Sequence, residues 1–111
     1  MQQSVNIDGA RITDWDSFHD QFAAALGFPA FYGRNMDAWN DCMTYLDDPA
    51  ANLASVHVLP GEVLVLSISG ARDFKKSCPE IFDALMECAA FVNYRRIEAG
   101  QRALLALSFD T

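Results

Sequence analysis

Hydrophobic positions along this chain recur at two spacings, and the change from one to the other divides it into elements. Val5–Asn6–Ile7–Asp8 alternates apolar and polar and stops before Gly9, as a short half-buried strand does. Trp15, Phe18, Phe22 and Leu26 then fall three or four apart, on one face of a helix. Thr13 with Asp16 offers that helix a capping signal, and Gly27 offers it a stop. Phe28 to Gly33 reads as a loop, and Asn35 as the N-cap of a second helix running to about Leu46.

Asp48 to Gly61 is interrupted by Pro49 and Pro60 and predicts an irregular excursion with one short turn. Val63 to Ile68 is almost continuously apolar, which suits a central strand buried on both faces. Ser77–Cys78–Pro79–Glu80 predicts the next helix start, with Ser77 as N-cap, Pro79 in the first turn and Glu80 closing a capping box. Ile81, Leu85, Ala89 and Val92 continue that helix, and Ala103 to Phe109 reads as a last strand. The order is strand, two helices, strand, helix, strand. Crossovers that carry helices imply parallel pairing, so the expectation is an α/β fold: a small parallel three-stranded sheet with helices packed on it.

Composition adds limits. With 111 residues and 51% hydrophobic content, residues 1–111 are expected to form a single domain with a substantial core. No repeat or low-complexity stretch divides it. A formal net charge of −7 disfavours direct nucleic-acid binding, which needs Lys and Arg to neutralise phosphates. The same charge fits a cationic protein partner, or simply solubility. No apolar run is long enough to span a bilayer, and Met1 to Ala10 is largely polar and strand-like rather than a signal peptide. A cytoplasmic location is expected, with no membrane association.

Candidate chemistry concentrates on the second helix. At 100° per residue, Met36, Trp39, Met43 and Leu46 face the core, while Asp37, Asp41, Thr44 and Asp48 form an acidic ridge on the opposite side. Asp37 sits in the first turn, where the helix dipole favours a carboxylate by about 0.3–1 kcal/mol, so the helix alone accounts for it. Asp41 lies beyond that turn and four residues from Asp37, a like-charge spacing that costs a helix roughly 0.2–0.5 kcal/mol. Periodicity leaves open whether the ridge is a solvated face or a site.

The segment Phe31–Tyr32–Gly33–Arg34–Asn35–Met36–Asp37–Ala38–Trp39–Asn40–Asp41–Cys42–Met43 resembles the barstar family of ribonuclease inhibitors. The likeness extends over about Val5 to Leu46, and the later strand–helix–strand order agrees with it. It implies a protein that plugs the active site of a bacterial ribonuclease with the second helix and the preceding loop, whose carboxylates meet the cations that would hold RNA phosphates. Arg–carboxylate pairs of that kind can be bidentate and are strong where water is excluded.

The resemblance assigns the leading acidic contact to Asp41 and a second to Asp37. It assigns the loop-to-helix junction to Gly33 and Asn35, and surrounding partner-binding positions to Phe31, Tyr32, Arg34, Ala38 and Asn40; Thr44 joins them from its place on the ridge. Glu87, on a later helix, is a possible further acid. Phe31 stands where the best-known members carry Tyr, Asn40 where they carry Trp, and Arg34 where they carry an acid. Arg34 should therefore repel a purely cationic cleft unless the partner offers an acid nearby. The implied partner is a basic ribonuclease, bound by a protein that is a monomer when free. The alternative is a barstar-like interaction module turned to a different protein partner.

Catalysis has little support. Cys42, Cys78 and Cys88 form no CxxC pair and no zinc-like spacing with His19 or His57, and they read as structural thiols in a reducing compartment. Gly61, Gly70 and Gly100 are single turn glycines, not a phosphate loop. Asp37 and Asp41 on an exposed ridge lack the burial that splits the pKa values of an acid–base pair. Arg95 and Arg96 fit dipole pairing at the end of their helix. No metal, cofactor or catalytic residue is expected.

Overall fold

The computed structural model describes residues 3–111, so Met1 and Gln2 of the expected polar start lie outside the described residues. Strand β1 spans Gln3–Asp8, β2 Leu64–Ser69 and β3 Leu105–Phe109. They form one parallel sheet in the order β1-β2-β3. Helices α1 (Trp15–Leu26) and α2 (Met36–Thr44) lie in the first crossover; α3 (Ala71–Ser77) and α4 (Pro79–Glu98) lie in the second.

Both crossovers step in the same direction across the sheet. Right-handed crossovers, the overwhelming rule, then put all four helices on the same face. Burial agrees. Ile7, Leu66 and Ile68 are fully buried on the helix side, whereas Asn6, Ser67 and Ser108, paired across the other face, are exposed or half-buried. The central strand is thus covered on one face only, against the expectation from its apolar run. Val65, which faces the open side, is half-buried.

Local signals were displaced rather than absent. Helix α1 starts one residue later than Thr13 would place it: Asp14 is the N-cap, its carboxylate accepting the Ser17 N–H at 2.8 Å while Ser17 Oγ accepts the Asp14 N–H at 3.0 Å. That reciprocal pair replaces the expected Thr13–Asp16 box, and it holds the Asp14 carboxyl below its ordinary pKa. Gly27 ends α1 in the left-handed region, φ 66°, as the sequence indicates.

Ser77 does not cap α4. It closes α3, a short helix too polar to stand out in the sequence, and Cys78 is the N-cap with no side-chain cap bond. Pro79 does take the first helical position. The excursion between α2 and β2 holds one short 3-10 turn, Pro49–Ala51.

Helix α2 packs along α4, and this junction positions the candidate site. Arg96, 4% exposed, donates from Nη1 to the carbonyl of Thr44, the last residue of α2, and makes a two-point pair with Asp47 at 2.7 and 3.1 Å. Its Nε donates to the Arg102 carbonyl at 2.9 Å. The expected dipole pairing is therefore made at the C-terminal end of α2, not of Arg96's own helix.

Candidate functional site

The loop before α2 is fixed from beneath. After Gly27, the Phe28 ring packs on Tyr32 with centroids 4.7 Å apart, and the Tyr32 N–H donates to the Pro29 carbonyl at 2.9 Å. The Tyr32 hydroxyl lies 2.6 Å from Nδ1 of the buried His19 on α1. Burial, reinforced by Arg34, lowers the His19 pKa, and burial raises that of Tyr32. A phenol held protonated and an imidazole held neutral share one hydrogen bond here, whose direction follows the His19 tautomer. Tyr32 thus faces inward, and Phe31 is turned out with 75% of its surface exposed.

Arg34 adopts the left-handed backbone region, φ 54°. Its guanidinium reaches back to α1, where it donates to the Asp16 carbonyl at 3.0 Å and pairs with Asp20 at 3.0 Å and Asp16 at 3.5 Å. The positive charge expected to stand beside the acidic ridge is instead engaged by two carboxylates of α1. Asn35 caps α2 as expected, its Oδ1 accepting the Ala38 N–H at 2.8 Å. Gly33 is not in a positive-φ conformation, and a Cβ there would meet Asn35 Nδ2 at 3.4 Å and Ala38 Cβ at 3.5 Å, ordinary contacts. The fold does not require glycine at this position.

Asp37 and Asp41 are exposed on α2, and two other ridge positions are not as expected. Thr44 is 6% exposed, its hydroxyl donating to the Asn40 carbonyl at 2.6 Å, and Asn40 is 8% exposed. A wheel with one core stripe puts Thr44 opposite the core, but α4 covers a second flank of α2 and buries both. Asn40 and Thr44 lie beneath the acidic face rather than on it. Helix α2 also ends at Thr44, so Asp48 leaves the ridge and caps the following 3-10 turn.

Glu87, exposed on α4, is brought to this junction. The Cys88 thiol pKa is raised by burial first and then by the charges of Glu87 and Asp37, against a lowering contribution from the Asn40 side chain. Farther along α4, Arg95 Nη2 donates to Asp41 Oδ1 at 3.1 Å, and its guanidinium carbon lies 5.8 Å from the Phe91 ring centroid. Below the ridge, Pro29, Phe31, Tyr32, Gly33, Ala38, Asp41, Cys42 and Leu53 line a cleft of about 120 Å³.

Arg95, Leu53, Pro29 and Cys42 also lie here, and sequence reasoning did not name them as site residues. Arg95 lies eight residues after Glu87, about 80° away around α4, so the wheel gave only a weak signal for it. Leu53 sits in the irregular segment, where no periodicity points to it.

This arrangement can present charge but offers poor nucleophiles. Burial and the neighbouring Asp41 push the Cys42 thiol up to about 11, so it stays protonated at neutral pH. Among the described residues, no group of three or more His, Cys, Asp or Glu side chains is placed to hold a metal ion. Also among the described residues, no helix is long and apolar enough to cross a membrane.

Fold and site together define a small α/β protein that displays carboxylates on a helix face beside an exposed aromatic loop. The family model described as Barstar (barnase inhibitor) matches residues 2–106, and the chain belongs to that family. That description is of an inhibitor rather than an enzyme. It is also similar to the Bacillus subtilis (strain 168) protein named "Putative ribonuclease inhibitor YrdF", at 40% identity over 42 residues. That stretch is 38% of this chain and 46% of the relative, so the chain spans about half the relative's length.

Proposed function

We propose that this protein inhibits a basic ribonuclease by laying the Asp37–Asp41 face of α2, with Glu87 beside it and the Phe31–Asn35 loop at its edge, into the cleft that would hold RNA. The observation that carries the reading is the pair of exposed carboxylates Asp37 and Asp41 on α2, with Asp41 lining the same cleft as the 75% exposed Phe31. Exposed carboxylates have little binding energy to give in water; facing Arg or Lys in a cleft from which water is excluded, they make charge-assisted hydrogen bonds. Phe31 supplies apolar area at the rim, and Gly33 lets a partner approach the backbone. The name of the Bacillus relative and the family description agree with a ribonuclease as target. On this reading the free protein is a cytoplasmic monomer and the pair is one to one.

A second reading, a family member directed at a different protein, draws on the Asp41–Arg95 contact, which engages the leading acid internally. Titration of the wild type and Asp41→Ala against a panel of small basic bacterial ribonucleases, at low and high salt, separates the two. The inhibitor reading predicts salt-sensitive binding of at least one enzyme, weakened by about 2–5 kcal/mol in Asp41→Ala. Binding to none of them, or equal binding by Asp41→Ala, favours the second.

A further inference from the structure

Two adjacent arginines of α4 reach toward α2, and they do different things. Arg96 is buried and ties down the end of α2 with a two-point pair and a carbonyl contact. With that attachment made, α2 does not depend on Arg95 to stay on α4. Arg95 is half-buried, rests against the exposed Phe91 ring, and contacts the 58% exposed side chain of Asp41 through one Nη2–Oδ1 bond of 3.1 Å. A cation thus already stands against the carboxylate that faces solvent in the middle of the acidic face. In water such an exposed pair is weak and easily parted. In a closed interface its positive charge would lie beside whatever cation the partner brings to Asp41, and like charges brought together there are strongly unfavourable.

We propose that Arg95 is a specificity-determining residue, which admits only a partner offering an anionic side chain to its guanidinium next to the cation that meets Asp41. This rests on the inhibitor reading of the Asp37–Asp41 face and deepens it: the surface that fits is of mixed charge, not uniformly basic. Arg95 acts against uniformly basic clefts by repulsion, the usual way in which a binding surface excludes wrong partners.

Barnase, the enzyme in the family's description, serves as the probe. Its affinity is measured for the wild type, Arg95→Gln, Asp41→Asn, the Asp41→Asn/Arg95→Gln double variant, and Arg72→Gln, which removes the same single positive charge from an exposed position on α3. Arg95→Gln is expected to bind about tenfold or more tighter than Arg72→Gln, with the gain lost in the Asp41→Asn background. Three results overturn the proposal: equal affinity of Arg95→Gln and Arg72→Gln, a gain that persists without Asp41, or no binding by any variant. None of the three touches the inhibitor reading, which stands or falls on Asp41→Ala across the wider ribonuclease panel.

Discussion

Single residues in the loop carry opposite demands from fold and partner. Gly33 has an ordinary backbone conformation and room for a methyl group, so Gly33→Ala should leave thermal stability within about 0.5 kcal/mol of wild type. A methyl group on the contact surface should nonetheless weaken binding to a ribonuclease, and calorimetric unfolding alongside a binding titration checks both halves. His19 works the other way, inside the fold. Its folded pKa is lowered from the ordinary 6.5 by burial, so the unfolded chain binds the proton more readily. Stability from this group is complete above about pH 6.5 and is lost as pH falls from there through the lower folded value. Urea midpoints at pH 7.5 and 5.5 should differ in the wild type, and less so in His19→Gln.

Among elements, the α2–α4 junction decides what the acidic face looks like. Arg96 and Asp47 are a largely buried pair, and removing one member leaves the other charge without its partner. Arg96→Met should therefore cost about 3–5 kcal/mol in urea unfolding, whereas loss of the exposed Arg95 pair should cost under about 1 kcal/mol. The junction also explains what could be read in the sequence. Periodicity gave the strands, α1, α2 and α4, because each has a stripe of apolar residues that enters the common core. It misplaced Thr44 because a wheel assumes one buried stripe, and α4 adds a second. It missed α3, seven residues with two buried side chains. The cap of α1 was misread by one residue because Thr13 and Asp14 are both good caps, and the choice falls to the one whose side chain accepts the Ser17 N–H.

Across the whole molecule, the net charge of −7 is not spread evenly among unpaired groups. Arg11, Arg34, Arg95 and Arg96 are each within ion-pair distance of an acid of the same chain. Asp37 and Glu87, each exposed, have no ion pair among those found between described residues, and their field should steer a cationic partner. Association with a basic ribonuclease should accordingly slow as salt rises, with dissociation changing less; stopped-flow mixing at several ionic strengths would register this. Helix periodicity made Asp37 and Asp41 legible as an exposed acidic pair, and the match to a known segment, not unusual physics, marked them as a candidate site. The engagement of Arg34 by α1 and of Asp41 by Arg95 was not legible, since both contacts join segments far apart in sequence.

The central claim is that the Asp37–Asp41 face fills a ribonuclease active site, and inhibition tests that more directly than binding. RNA cleavage by an enzyme that the protein binds should fall linearly to near zero at one equivalent of wild type, while Asp41→Ala should need a large excess. A complex that forms but still cleaves RNA at the free enzyme's rate, or an Asp41→Ala titration that overlays the wild type, would contradict it.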